Sequence, residues 1–260
     1  MSSARIVFLT NADSRNKDIH LSRLIKDGHV VAGVVSSSKG SVKLDDPLAL
    51  VAKYGARFIL RKIAAKIKSK LVRPELEKFL SGAGIPHYVV EDINSDASSE
   101  LIRSLAPDIL ITSTFSQILS EKTIAIPRLG AFNLHSSLLP KYRGPAPVFW
   151  ALYHNEKETG VTAHLLDRGI DTGGIIVQKK VAVEDWDDIA SMEKKLAPAG
   201  AEAAAEAAAL IAAGRAKPVP QQEEGPYFRR PDKNDWRRFR EMSSRRTGRR
   251  GGAPNGDSGS

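Results

Sequence analysis

The chain has 260 residues, 42% of them hydrophobic, a formal net charge of +9 and no cysteine. This length can bury one substantial core with some additions. The lack of cysteine excludes disulfides and thiolate metal sites, and the six histidines show no paired metal-ligand spacing. No run of about eighteen uncharged apolar residues is present, and the N-terminal apolar stretch is too short for a signal peptide, so we expect a cytoplasmic protein without a transmembrane segment or a metal.

The positive charge lies in two segments. Residues 53–73 carry eight Lys or Arg and no acidic residue, and residues 215–260 carry twelve Lys or Arg against six acidic residues. Outside these segments the net charge is −5. We therefore interpret both as basic attachments to a mildly acidic body.

The first elements form a β-α-β unit. Short β-branched runs at Arg5–Thr10 and Val30–Ser36 predict strands, and the stretch Ile19–Asp27 between them has helical spacing. The turn after the first strand holds Asn11, Ala12 and Asp13 where a dinucleotide-binding protein has its glycine fingerprint. The unit therefore predicts a Rossmann-like sheet that does not bind NAD.

The alternation of strands and helices continues along the chain. Further strands are predicted at 87–90, 108–115 and 131–135 and a helix near 98–105, which favours a parallel sheet. Two more strands, compatible with an antiparallel orientation, are predicted at 161–166 and 175–183, and an alanine-rich helix at 199–213 ends at Gly214.

Two segments depart from this pattern. In the basic insert 38–80, Ile59, Ile63, Ile67 and Leu71 recur at steps of four among lysines and arginines, which predicts a cationic amphipathic helix. Such a helix can pack on the body with its charges solvated, attract an anionic substrate, or lie on an anionic membrane. The tail 237–260 is rich in Arg, Gly and Ser with almost nothing apolar, so we predict disorder there.

The candidate chemistry lies in two central segments, GAFNLHSSLLPKYRGPAPVFW at 130–150 and TGVTAHLLDRGIDTGG at 159–174. Asn133 and His135 are two residues apart in a predicted strand, so their side chains project from the same face. Asp171 follows on a glycine-flanked turn. An amide donor, an imidazole and a carboxylate are together typical of an active site, although each alone is also typical of a satisfied strand end or turn.

These motifs resemble the catalytic domain of the 10-formyltetrahydrofolate-dependent formyltransferases, most of all methionyl-tRNA formyltransferase and its sugar-modifying relatives. The similarity also covers GHVVAGVVS at 28–36, PDILITSTFSQIL at 107–119 and AGRAKPVPQQEEGPYFRRPDKNDW at 213–236. It implies an α/β fold with a mostly parallel sheet, helices on both faces and the catalytic domain at 1–214. Residues 215–236 then resemble a linker to a second domain.

The resemblance implies that Asn133, His135 and Asp171 are the catalytic trio. Attack of an amine on a formyl carbon gives a tetrahedral intermediate with a negative oxygen, and Asn133 can donate an N–H to that oxygen without changing charge. His135 suits proton transfer because the reference pKa of imidazole is about 6.5. Asp171 would orient or charge the imidazole. We expect His164 to pack or hydrogen-bond beside the site.

The resemblance also places the ligands. The formyl donor, 10-formyltetrahydrofolate, is expected beside the loop 115–119, with Phe115, Gln117, Ile118 and Leu119 as cofactor-binding candidates. Each of them can instead belong to the core. Arg143 and Gly144 are substrate-binding candidates, and Arg143 can either clamp an anion or hold its loop.

The acceptor is less constrained. We expect a primary amine, with a nucleotide-linked amino sugar first and methionyl-tRNA second, since too few residues follow Trp236 for a β-barrel. A formyltetrahydrofolate hydrolase and a noncatalytic folate- or RNA-binding module are the alternatives. Specific nucleic-acid binding by the tail is not favoured because no aromatic residues interleave its arginines. Ser136 and Gly174 depart from the family pattern and put the shapes of their loops in doubt.

Overall fold

The computed structural model describes residues 2–11, 14, 16–37, 75–221 and 225–246. Its sheet has seven strands in the order β3-β2-β1-β4-β5-β6-β7. The strands are β1 Arg5–Asn11, β2 Val30–Ser37, β3 His87–Val90, β4 Ile109–Ser113, β5 Gly130–His135, β6 Glu158–Leu165 and β7 Ile175–Ala182. The first five are parallel, and β6 and β7 are antiparallel additions. The predicted α/β sheet is confirmed.

Helices cover both faces of this sheet. They are α1 Lys17–Lys26, α2 Glu75–Gly82, α3 Asp96–Ser104, α4 Glu121–Ile124, α5 Pro147–Tyr153, α6 Ile189–Ala212 and α7 Lys233–Arg246. Alternate residues of each central strand enter opposite cores. Phe132 joins the core that holds α1, α2, α5 and α6, whereas its neighbour Ala131 joins the core that holds Ile102 of α3. We call these the α6 face and the α3 face.

Helix α6 is longer than the sequence predicted. It begins at Ile189, ten residues before the predicted start at 199, because Asp188 caps it. The Asp188 carboxylate accepts from Ser191 N at 2.8 Å and the Ser191 hydroxyl accepts from Asp188 N at 2.9 Å. Pro198 lies inside the helix. The predicted start at 199 follows the alanine-rich run of the sequence, which begins only there. None of the helices in the described ranges is long and apolar enough to cross a bilayer.

The predicted disorder of the tail is wrong for residues 237–246, which form most of α7. Phe239 is 8% exposed, and its ring centroid lies 5.0 Å from that of Phe149 in α5. Trp236 packs on the same Phe149 ring at 4.7 Å. Two aromatic side chains three residues apart therefore give this arginine-rich helix an apolar face. Residues 247–260 lie outside the described residues.

The basic insert is described only at its C-terminal end. Residues 75–82 form α2, whose Leu76 and Leu80 are buried in the core of the α6 face. The amphipathic helix predicted from Ile59, Ile63, Ile67 and Leu71 falls outside the described residues.

Candidate active site

Strand β5 presents Asn133 and His135 on the α3 face, as their spacing predicts. Antiparallel β6 lies beside it and pairs Asn133 with His164 and His135 with Thr162. On the other side, parallel β4 pairs Thr112 with Asn133. Because paired residues project from the same face, three strands converge on one point at the carboxyl end of β5. Asp171 reaches this point from the loop between β6 and β7.

The amide of Asn133 is held in one orientation. Its Oδ1 accepts from the Thr112 hydroxyl at 2.7 Å. Its Nδ2 lies 3.4 Å from Asp171 Oδ1 and 3.2 Å from His164 Nε2. A carboxylate oxygen only accepts, so the amide nitrogen has to face it. The N–H donors of Asn133 therefore point into the cluster.

His135 is 6% exposed, and its tautomer follows from one contact. Its Nε2 lies 2.8 Å from the carbonyl oxygen of Tyr142, which can only accept. Nε2 therefore carries a proton, and in the neutral ring Nδ1 carries the lone pair. That Nδ1 lies 3.5 Å from Asp171 Oδ1. Burial lowers the pKa of His135, opposed by the nearby Asp171 carboxylate, so at neutral pH the ring is an uncharged base.

Asp171 sits on a turn that several backbone contacts hold. Its φ is +55°, in the left-handed region. Its Oδ2 accepts from the Gly144 N–H at 2.8 Å. The side-chain amide of Gln221 donates to the carbonyls of Asp171 and Gly173 at 3.0 and 2.9 Å. The carboxylate is thus fixed from both its side chain and its backbone.

The Asp171 carboxylate is charged under all ordinary conditions. Burial alone would raise its pKa, but contact with His164, the charge that His135 can carry and the Gly144 N–H outweigh burial and hold the pKa at about 2. A proton on His135 Nδ1 would face this negative charge directly. The pair can therefore accept a proton at His135 and stabilise the resulting imidazolium.

Arg143 holds the loop beside Asp171. Its Nε donates to the Ile170 carbonyl at 3.0 Å and its Nη1 to the Gly225 carbonyl at 3.2 Å. These contacts favour the loop-holding interpretation of Arg143, and its role in substrate binding stays a prediction. Gly144 has φ +110°, and a Cβ there would collide with the carbonyl oxygen of Phe228. Only glycine fits where this backbone amide meets the Asp171 carboxylate.

The predicted donor loop, residues 115–119, follows β4 and lies next to the cluster along the sheet edge. The side-chain amide of Gln117 makes its hydrogen bonds within the protein. Its Oε1 accepts from Ile93 N at 3.0 Å, and its Nε2 donates to the Ser37 hydroxyl at 2.6 Å and to the Glu91 carbonyl at 3.0 Å. These hydrogen bonds hold the loop in place, so the geometry does not favour contact between the Gln117 side chain and the donor.

The three apolar members of the donor loop differ in exposure. Leu119 is 9% exposed and belongs to the core of the α3 face, and Phe115 is partly buried against that core. Ile118 is 67% exposed, and its carbonyl accepts from Asn94 Nδ2 at 2.9 Å. Ile118 is thus the member best placed to contact a ligand. Donor binding by these four residues stays a prediction.

Thr112, His164 and Gln221 support the trio more directly than sequence reasoning indicated. His164 was expected to lie beside the site, and it does: its Nδ1 contacts the Leu165 carbonyl at 2.9 Å while its Nε2 lies 3.5 Å from Asp171 Oδ1. One pattern indicated Thr112: the apolar run of this buried strand ends at Ile111, and the polar residues Thr112 and Ser113 follow it. No sequence pattern indicated Gln221, because its hydrogen-bond partners lie about fifty positions earlier in the chain.

Comparison with known proteins agrees with this geometry. The sequence profile described as formyl transferase matches residues 4–208. The chain belongs to the formyl transferase family. Methionyl-tRNA formyltransferase of Thermodesulfovibrio yellowstonii is 38% identical over 165 residues, which are 64% of this chain and 54% of that protein. This chain spans about half the length of the curated relatives it matches.

Solved structures of formyltransferases share the fold of this family member. The phosphoribosylglycinamide formyltransferase of Anaplasma phagocytophilum superposes with a TM-score of 0.63 at 20% identity, covering 88% of this chain and all of that one. A sugar 3N-formyltransferase solved with dTDP and 5-N-formyltetrahydrofolate gives 0.58 at 20% identity, over 87% of this chain and 69% of that one. At such identities the likeness establishes the fold alone.

Proposed function

We propose that this protein transfers a formyl group from 10-formyltetrahydrofolate to a primary amine. The observation that carries the proposal is the convergence of Asn133, His135 and Asp171 at one sheet edge within hydrogen-bonding or near-contact distances. Membership of the formyl transferase family adds support.

The chain's own residues suit each stage of the transfer. The amine nitrogen attacks the formyl carbon, and the carbonyl oxygen becomes an oxyanion that the Asn133 N–H donors stabilise. The attacking nitrogen loses a proton to His135 Nδ1, and Asp171 stabilises the imidazolium. Cleavage of the bond between the formyl carbon and N10 of the donor then releases tetrahydrofolate, which takes up the proton. Removing one oxyanion donor typically costs about 3–4 kcal/mol in such sites.

The donor pocket is proposed at the loop 115–119. The backbone there is held firmly, since Ser116 N donates to Asn11 Oδ1 at 3.0 Å and Ser120 N to Asn94 Oδ1 at 2.7 Å. A flat ring needs a preformed slot with apolar walls and backbone polar groups at its edges. Ile118 and Phe115 offer the apolar surface, and one structural neighbour was solved with 5-N-formyltetrahydrofolate.

For the acceptor we propose a nucleotide-linked amino sugar. Sugar N-formyltransferases are among the proteins that share this fold, and two of their structures match 86–87% of this chain. The methionyl-tRNA formyltransferases are sequence relatives that align with 46–64% of it. Methionyl-tRNA is the second candidate, favoured by the 36–43% identity of those relatives.

The test is an assay of the purified full chain with 10-formyltetrahydrofolate and each acceptor separately. Product formation is followed by mass spectrometry and donor consumption by absorbance, with reactions lacking the acceptor as the control. Formylated amino sugar supports the first acceptor and formylmethionyl-tRNA the second. Donor consumption that is the same without any amine would indicate hydrolysis and refute the transfer.

A further inference from the structure

Tyr227 is an aromatic side chain with no role in the core, at the rim of the active site. It is 53% exposed. Within the part of the chain that the structure describes, its hydroxyl has no hydrogen-bond partner and its ring stacks on no other aromatic ring. Since single exposed aromatic residues are common on protein surfaces, the position of this one beside Asp171 is what sets it apart.

The backbone fixes this ring next to the catalytic carboxylate. Tyr227 forms a parallel bridge with Arg143, and Phe228 N donates to the Arg143 carbonyl at 2.8 Å. A Cβ built on Gly144 would lie 3.0 Å from Tyr227 Cε2. The N–H of the same Gly144 donates to Asp171. Gly144 alone therefore lies between the Tyr227 ring and the Asp171 carboxylate.

The ring lies on the side of the trio away from the donor loop. Residues 115–119 continue from β4, which flanks β5 on one side, whereas Asp171 follows β6, which flanks β5 on the other. Ile170, which is 39% exposed, belongs to the same rim, since its backbone carbonyl accepts from Arg143 Nε. A donor seated at the loop leaves this rim to the acceptor.

We propose that Tyr227 is a specificity-determining residue that contacts the amine-bearing ring of the acceptor, a hexose. The inference rests on the proposed function. Because the Tyr227 ring lies next to Asp171, it contacts the part of the acceptor that carries the reacting nitrogen. Tyrosine suits a hexose, since its flat face packs on the C–H face of the sugar and its hydroxyl bonds to a sugar hydroxyl.

Trp186 supplies a matched control. It is also a large exposed aromatic residue, at 69%. It follows β7 at the end of the sheet where Ala182 pairs with Glu158, whereas the active site lies where Ile175 pairs with His164. Replacing Trp186 removes a comparable exposed ring at the opposite end of the same strands.

The experiment measures binding directly, so it does not depend on turnover. A dTDP-linked 4-amino-4,6-dideoxyhexose is titrated into the full chain by calorimetry, with saturation-transfer NMR to show which sugar protons contact protein. We expect Tyr227→Ala to weaken binding about tenfold, from the loss of one ring contact, and to remove saturation of the hexose protons. Tyr227→Phe and Trp186→Ala stay within about threefold of the wild type.

Binding of 5-formyltetrahydrofolate is measured on the same variants, with melting temperatures to verify folding. The proposal is overturned if wild-type protein does not bind the sugar, if Tyr227→Ala binds it unchanged, or if folate binding weakens equally. Failure of this inference and failure of the proposed formyl transfer give different results. A chain that binds sugar through Tyr227 yet formylates no amine refutes the transfer alone. Formylation of methionyl-tRNA without sugar binding refutes this inference and the amino-sugar acceptor, and leaves formyl transfer standing.

Discussion

Two buried histidines lie on opposite faces of the sheet near its carboxyl edge, and they have different surroundings. His135, on the α3 face, and His20, on the α6 face, are 6% and 5% exposed. Burial lowers the pKa of both. Both rings contact a backbone carbonyl, that of Tyr142 for His135 and that of Ala197 for His20. His135 Nδ1 also lies 3.5 Å from a carboxylate oxygen, whereas His20 Nδ1 has no partner among the described residues.

The clusters around the two histidines differ in the same way. On the α6 face, Lys17 Nζ donates to the Ser113 hydroxyl at 2.9 Å, and the buried Thr10 hydroxyl has no partner within the described ranges. His20 packs near the Phe8 ring and beside Gly200 of α6. This cluster fills the space between helices. Burial of polar groups alone therefore does not identify an active site; what distinguishes one is a base paired with a carboxylate at an accessible edge.

Replacing each histidine by asparagine gives the sharpest contrast. His135→Asn should lower kcat by about 10³-fold or more, because the proton acceptor is lost, with folate affinity largely unchanged. His20→Asn should leave kcat within about threefold and lower the free energy of unfolding by about 1–3 kcal/mol. Steady-state kinetics, folate titration and urea unfolding of both variants measure this. Unchanged turnover in His135→Asn would refute the role of His135 as proton acceptor.

The pH dependence of catalysis should report His135 and not His20. His135 has to be neutral to accept a proton, and burial lowers its pKa below 6.5. The acid limb of kcat/KM should therefore have its midpoint below pH 6.5 and fall about tenfold per pH unit below it. Asp171, with a pKa of about 2, stays ionised throughout.

Asp171→Asn tests the assignment of that limb. The Asp171 charge raises the pKa of His135, so its removal should move the midpoint to lower pH in addition to slowing the reaction. His20→Asn is the control and should leave the midpoint in place. A midpoint that rises in Asp171→Asn would show that another group titrates.

On the α6 face, the corresponding experiment concerns stability. Burial lowers the pKa of Lys17 from 10.5 to about 8. The unfolded chain then binds this proton more tightly, so the free energy of unfolding should rise as pH increases from about 8 to 10.5. Lys17→Met removes this contribution. The stability difference between variant and wild type should therefore change by about 3 kcal/mol across that range, while kcat stays within about threefold.

Unfolding by urea at several pH values measures the difference. Because the other lysines and tyrosines titrate in both proteins, their contributions cancel in the stability difference between variant and wild type. A difference that is constant from pH 7 to 10.5 would contradict the lowered pKa of Lys17. A large loss of kcat would instead connect this cluster to catalysis and erase the contrast between the two faces.

The strand pattern and the shared face of Asn133 and His135 were predictable because they depend on local periodicity, whereas Asp171 was assigned from the family resemblance. Strands β1 to β7 each contain a β-branched or apolar run, and Asn133 and His135 share a face through the two-residue repeat of a strand. Helix α7 was not predicted because arginines dominate its composition. Only the spacing of Trp236 and Phe239 indicated an apolar face, and the partner they pack on, Phe149, lies almost ninety positions earlier in the chain.

Long-range pairing also limited the prediction of the site. Gln117 resembled a ligand-facing residue, but its amide is engaged by Ser37, Glu91 and Ile93, residues that only the parallel order of β2, β3 and β4 brings to it. The same holds for Thr112 and Asn133, which are 21 positions apart and meet through strand register. Residue chemistry is local, whereas register is a property of the whole sheet.

The smallest effect expected concerns two buried threonine hydroxyls. Thr112 donates to Asn133 Oδ1 at 2.7 Å and so turns the N–H donors toward the reaction centre, whereas Thr159 Oγ1 has no partner in the described part of the chain. Thr112→Val should lower kcat about tenfold with KM unchanged, because a positioning contact is lost. Thr159→Val should leave kcat unchanged and stability equal or higher, since no hydrogen bond is broken. Thr112→Ser should restore most of the activity, and equal kcat in the two valine variants would show that Asn133 needs no such orientation.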